Sequence, residues 1–270
     1  MRKLFVWVAG ATMVAMTAGN ASAQYGPAQP GVSSGVTGDD YHVELSYALW
    51  HPSRTILISS ESLGILGDRI DVVADLGFDT RTFQDFKVVL RPSHKFKFRF
   101  GVTPIKYEGD TILTRSIVFN GQRYTIGLPV TSELEWKSWR FGIEYDFISR
   151  SRGFFGVIFE GKYTDLNLQL QAPLIAEFSH VKVPIPTIGA IGRVFVAKNV
   201  ALSAEVTGLK LTIQDDTGEY LEVDVNAQFN FNDNLGVQGG YRALSLNYAV
   251  ELDSGDLDLK GLYFGGVARF

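Results

Sequence analysis

From Tyr41 to Phe270 the side chains alternate between apolar and polar with a period of two, almost without a break. That pattern belongs to β-strands with unlike faces and leaves little room for helix. In the last stretch, Leu257–Phe270, the residues Leu262, Phe264, Gly266, Ala268 and Phe270 make an apolar face. Lys260, Tyr263, Gly265 and Arg269 are assigned to the other. Earlier in the chain Phe96, Phe98, Phe100 and Val102 oppose Lys97, Arg99 and Thr103. On a helix these phenylalanines and cations would be smeared around the whole circumference.

The same alternation recurs down the chain. It is found in Tyr41–Leu49, Asp85–Arg91, Trp139–Phe147, Phe155–Tyr163, Ile188–Val196, Leu202–Thr207, Leu221–Phe231 and Val237–Arg242. Four tight turns separate strands, around Pro92–Lys95, Ser149–Gly153, Ala197–Val200 and Asn232–Asn234. They alternate with five connections that read as long, at Pro52–Gly77, Lys106–Val130, Gln171–Pro186, Thr212–Glu219 and Glu251–Asp256. Short turns on one side and long ones on the other are the habit of membrane-spanning barrels. Nine connections join ten strands. Ile117–Tyr124, with Asn120-Gly121 as a hairpin signal, and the alternating Ile70, Val72, Ala74 and Leu76 are expected to extend the wall above the membrane. If either crossed the bilayer the count would be twelve.

Composition agrees with export and a bilayer. Arg2-Lys3, an apolar run from Leu4 to Met16 and the small residues Ala21-Ser22-Ala23 make residues 1–23 a cleavable signal peptide. The run is too short for a spanning helix, which needs about 20 residues. Residues 24–40, rich in Gly, Pro and Ser, read as a flexible periplasmic tail, and 41–270 as the barrel. The chain has no cysteine, so disulfides, thiolate metal sites and a lipidated cysteine are excluded. A net charge of −4 gives no basic footprint for nucleic acid. The large aromatics Tyr41, Phe96, Phe147, Phe155, Phe231 and Phe270 fall near the tight-turn ends, as in an interfacial girdle.

Three segments carry a resemblance: Trp139-Arg-Phe-Gly-Ile-Glu-Tyr-Asp-Phe147, Gly236-Val-Gln-Gly-Gly-Tyr-Arg242 and the C-terminal Gly261-Leu-Tyr-Phe-Gly-Gly-Val-Ala-Arg-Phe270. With them the chain resembles small bacterial outer-membrane β-barrel proteins, closest to an uncharacterised group. The ending, with Tyr263, Gly265, Ala268 and Phe270, resembles the insertion signal of such barrels. The resemblance implies an all-β, single antiparallel transmembrane barrel in the bacterial outer membrane. It also implies contact with outer-membrane lipids and with the barrel-assembly machinery during insertion. It brings no activity.

Turning the polar faces inward gives a lumen rich in charge. The acids are Glu44, Asp85, Glu144, Asp146, Glu160, Glu205, Glu222 and Asp224. The bases are Lys87, Arg91, Lys97, Arg99, Arg140, Lys162, Arg193, Arg242, Lys260 and Arg269. Ten strands lie near the limit at which side chains fill a barrel, so these charges are expected to pair and close it. Arg140, Glu144, Glu160, Lys162, Arg193, Glu205 and Arg242 are the candidate lumen network, and would line the pore if the barrel were instead a narrow porin-like channel. A third reading is an enzyme acting on lipid or peptide, with His51 near Ser53, Ser59 and Ser60 as its weak candidate. The acidic turns Asp215–Glu219 and Asp253–Asp258 lack EF-hand ligand spacing. Phosphate loops, nucleophile elbows and dinucleotide fingerprints are absent, and no cofactor is expected. The preferred reading is a non-enzymatic barrel with a structural or loop-mediated interaction role.

Overall fold

The computed structural model describes residues 35–59, 68–79, 81–119, 121–173, 175–213, 216–250 and 253–270. The signal-peptide segment, most of the tail, Ser60, Asn120 and Asp215 lie outside them. Thirteen strands are described: β1 (Val43–Ser59), β2 (Ile70–Asp71), β3 (Phe83–Ser93), β4 (Phe96–Ile112), β5 (Ile117–Phe119), β6 (Gln122–Tyr124), β7 (Pro129–Arg150), β8 (Gly153–Ala172), β9 (Ile175–Ala197), β10 (Val200–Ile213), β11 (Asp216–Asn230), β12 (Leu235–Val250) and β13 (Asp253–Arg269). Ten of them, β1, β3, β4 and β7 to β13, pair antiparallel with their neighbours in sequence order. β13 returns to β1 in a register running from Glu44↔Arg269 to Ser59↔Ser254. The sheet therefore closes into a ten-stranded barrel and has no edge in its lower half.

Along each strand one parity faces out and the other in, but the chemistry of the two faces exchanges part-way up. In the lower half the outward side chains are apolar: Leu45, Tyr47 and Leu49 on β1, Phe98 and Phe100 on β4, Trp139, Phe141 and Ile143 on β7. The inward ones there are charged, among them Glu44, Lys97, Arg140 and Glu144. Higher on the same strands the outward residues become His51 and Ser53, Lys106, Glu108 and Asp110, Lys137, Glu135 and Glu133. Their inward neighbours become Trp50, Ile56, Ile105, Tyr107, Leu134 and Trp136, all buried. One rule explains both halves: apolar surface leaves water. Where hydrocarbon surrounds the wall the greasy face turns out, and where water surrounds it the same face turns in.

This exchange corrects the reading of the connections. Residues read as long loops after Gln171, Thr212 and Glu251 belong mostly to strands. β8 runs to Ala172 and β9 starts at Ile175; β10 runs to Ile213 and β11 starts at Asp216; β12 runs to Val250 and β13 starts at Asp253. Their alternation continues, but with charges outside, so it did not look like a bilayer wall. The exchange also moves Lys260. It shares its parity with Leu262, points outward and lies 3.7 Å from Asp258 on the exterior, so it is not a lumen base.

Prolines decide where the upper wall opens. Pro52 pairs with Gly261 of β13, and Pro104 with Lys137 of β7. A residue without an N–H fits a ladder only where its nitrogen points away from that partner. Both nitrogens therefore point toward β3, and β3 pairs no further than Trp50↔Phe83 on β1 and Phe86↔Val102 on β4. The gap between β1 and β4 is filled by residues 68–79. Asp71 caps a helical turn, its Oδ1 accepting from the amides of Val73 and Ala74, and the amide of Gly77 reaches the carbonyl of Val73. Ile70, Val72 and Leu76 are buried by this turn, where a wall-extending strand was expected. The amide of Val72 bonds the carbonyl of Ile56, and Arg54 donates to the carbonyl of Phe78.

The predicted hairpin at 117–124 exists as β5–β6, turning through Gly121 at φ +77°. It stands apart from the wall as a separate two-stranded sheet. Ile117, Phe119 and Tyr124 sink into the apolar core with Leu113, Trp136 and Leu170. Neither inserted segment crosses the barrel, so the strand count is ten.

Candidate functional site: the charged lumen and its seals

Three groups of charges fill the lower lumen. The upper one is centred on Asp85, Glu222, Asp224, Arg140, Lys162 and Arg242. Arg140 Nη2 lies 2.6 Å from Asp85 and its Nη1 3.3 Å from Glu222. Arg242 reaches Asp85 at 3.0 Å and Asp224 at 3.2 Å. Lys162 bridges Glu222 at 2.5 Å and Glu160 at 2.9 Å. Hydroxyl donors complete the carboxylates: Tyr220 to Glu222 at 2.7 Å, Tyr263 to Asp224 at 2.6 Å and Thr103 to Asp85 at 2.6 Å. These tyrosines place their rings under the guanidinium and ammonium groups, as does Trp50 beneath Arg242 at 5.4 Å.

Below it, Lys97 sits 2.5 Å from Glu144 and 2.8 Å from Asp146, and Arg99 joins Glu144 to Glu205 at 2.7 and 2.5 Å. Nearest the periplasmic mouth, Glu44 accepts from Arg269 at 2.7 Å and has Arg193 at 3.7 Å. Arg193 also donates to Ser203. The seven residues named from sequence are thus divided among the groups. Arg140, Glu160, Lys162 and Arg242 lie in the first, Glu144 and Glu205 in the second, and Arg193 in the third. Each buried charge has at least one opposite partner, as the cost of an unpaired ion demands.

Both ends are closed. Over the upper charge group lies the apolar core of Trp50, Ile105, Leu134, Trp136, Leu168 and Leu244. The cavity left between them is about 10 Å³ and is lined by Trp50, Trp136, Arg140, Tyr220, Glu222 and Arg242. That is room for about one water. At the lower end, residues 35–40, the described part of the segment read as a tail, cross the mouth. Thr37 donates its amide to the carbonyl of Lys198, Asn230 donates to the carbonyl of Thr37, and Gly38 donates to Asp233. Tyr41 was expected in the outer aromatic girdle. It is buried instead beneath Arg91 and Arg269, at 5.2 and 5.5 Å, because it lies before the first paired residue and turns in with this segment. Phe147, Phe155, Phe231 and Phe270 do face outward.

Sequence reasoning missed two features. It did not see the tyrosine hydroxyls as part of the charge network, although Tyr220 and Tyr263 share inward parity with Glu222 and Arg269. Nor did it see the apolar upper lumen, whose signal was the exchange of polarity between faces. Of the terminal signal residues, Tyr263 and Gly265 face in and Ala268 and Phe270 face out. A side chain at Gly265 would collide with the carbonyl of Tyr47, so this glycine lets β13 close on β1. The enzyme candidate finds no serine: His51 Nδ1 lies 2.9 Å from the hydroxyl of Thr82, and Ser53 donates to the carbonyl of Lys260. In the acidic turns, Glu219 pairs with Lys210 and Asp256 with Arg69. In the cap, the Arg115 guanidinium bound to Asp75 holds that carboxyl below the usual range.

No family model matches the chain, and no curated protein matches it in sequence. Solved structures do. The outer membrane protease OmpT from Escherichia coli superposes with a TM-score of 0.56 at 10% identity, over 87% of this chain and 98% of that one. The outer membrane protein AlkL matches over 85% and 91% of the two chains, with a TM-score of 0.41 at 11% identity. The translocator domain of NalP from Neisseria meningitidis gives 0.41 at 10% identity over 88% and 92%. With its apolar belt outside, its charges within and its wall closed from first strand to last, this chain has the fold of a small, ten-stranded bacterial outer-membrane β-barrel.

Proposed function

We propose that the protein is a non-conducting outer-membrane barrel whose role is structural and interactive. Its lumen holds the wall rigid, and its water-exposed upper half is the working surface. The observation that carries this reading is the double closure. The charge group of Asp85, Arg140, Lys162, Glu222, Asp224 and Arg242 is capped directly by an apolar core, with space for about one water between them. An ion would have to shed its hydration shell against Trp50, Leu134 and Trp136, and no pore-forming polar path continues upward. A solid upper wall of this kind also suits contact better than transport. The test is single-channel recording of the folded protein in planar bilayers. No conductance steps are expected, and a steady step whose selectivity changes on Arg140→Gln would replace this reading with the channel.

A further inference from the structure

The wall has a second opening, and nothing fills it. Pairing between β9 and β10 runs from Val200↔Ala197 to Gly208↔Ile188 and stops. β9 continues through residues 175–187 with β8 alone, and β10 continues through residues 209–213 with β11 alone. Pro184 and Pro186 cause the separation. They sit in the β8 ladder opposite Tyr163 and Gly161, so their nitrogens point toward β10. There they take away the next two donors after Ile188. Farther up, the main-chain amides and carbonyls of Ala176, Phe178, His180 and Lys182 project from that same edge. Among the described residues no strand pairs with them, in contrast to the gap between β1 and β4, which residues 68–79 close.

A row of unpaired amides and carbonyls is a template for another strand. This one reaches eight residues beyond the last residue of β10, clear of its neighbouring hairpin. We infer that it pairs with a second copy of the chain held on an opposing membrane, β9 against β9, antiparallel about a two-fold axis. The inference rests on the interaction reading above and names the partner. An edge set against itself in this way is self-complementary, because alternate residues supply donor and acceptor at the same spacing in both copies. Copies in one membrane cannot do this. Barrel strands tilt by about 35–45°, so a two-fold along the membrane normal would cross the edges at roughly twice that angle. Facing membranes turn one copy over and make the strands antiparallel. One such contact is short, and many copies on each surface would act together.

The test uses the full chain in phosphatidylcholine vesicles, with the upper half facing outward. Two vesicle populations carry donor and acceptor dyes, and clustering is read as energy transfer on mixing. Wild-type vesicles are expected to cluster with a several-fold rise in transfer. Lys182→Pro deletes one edge donor without touching the β8 ladder, and is expected to abolish clustering while the barrel keeps its folded mobility on unheated gels. Lys182→Ala, which keeps the donor, is expected to cluster like wild type. Dispersed wild-type vesicles overturn the proposal, as does clustering that survives Lys182→Pro. Equal loss in Lys182→Ala assigns the contact to side-chain charge and overturns edge pairing. Conductance of the same preparation reads the closed lumen separately, so the two ideas fail independently.

Discussion

Glu222 meets three cations at once, Arg140, Lys162 and Arg242, and accepts the hydroxyl of Tyr220. Replacing it by leucine strands three buried cations, and breaking a buried ion set of this kind costs about 3–5 kcal/mol. Urea unfolding of Glu222→Leu in detergent is expected to show that loss, with a smaller one for Glu222→Gln, which still accepts hydrogen bonds. Equal stability of Glu222→Leu and wild type would mean that the network is solvated. Every member of this network stands on a polar strand face in the sequence, so its charges could be found by alternation alone. Its pairings could not. They join β3 to β12 and β7 to β11 across the lumen, and those distances are set by closure and not by any local spacing.

At the scale of the strand, the tight turns and the paired lower halves follow from the period of two. The upper halves were harder to see because the same alternation serves a different solvent there. Lys106, Glu108 and Asp110 read as a polar loop until Ile105, Tyr107 and Gly109 are recognised as their inward partners. The prolines were the usable signal, since a proline inside an alternating run marks an edge or a break. That argument has a testable converse. Pro184→Thr/Pro186→Thr returns two donors to the β10 side of β9. The β9–β10 ladder is then expected to extend upward, and the amides of Lys210 and Thr212 to exchange with deuterium at least several-fold more slowly. Unchanged exchange would show that something other than the missing donors holds the strands apart.

For the molecule as a whole, closure is redundant: an apolar plug stands on a charged one. Removing residues 68–79 and 113–128 strips Ile70, Leu76, Ile117, Phe119 and Tyr124 from the upper lumen. It leaves Asp85, Arg140, Glu222 and Arg242 in place. Bilayers holding that variant are expected to stay silent, and to show current steps only when Arg140→Ala and Glu222→Ala are added. Steps from the deletion alone would mean that the charge groups conduct.

The exchange of faces half-way up each strand also constrains how such a molecule can be built. Lys106, Glu108, Glu133, Glu135 and Lys137 end on the far side of the hydrocarbon, so each must be carried through it. A finished cylinder offers no route, because its outer surface would drag those groups through acyl chains. The hairpins have to pass while the seam between the first and last strands is still unzipped, their Trp50 and Trp136 not yet gathered inward. Sealing Glu44–Ser59 against Ser254–Arg269 is then the last event of biogenesis, and the long, gapless register of that seam is what makes it irreversible.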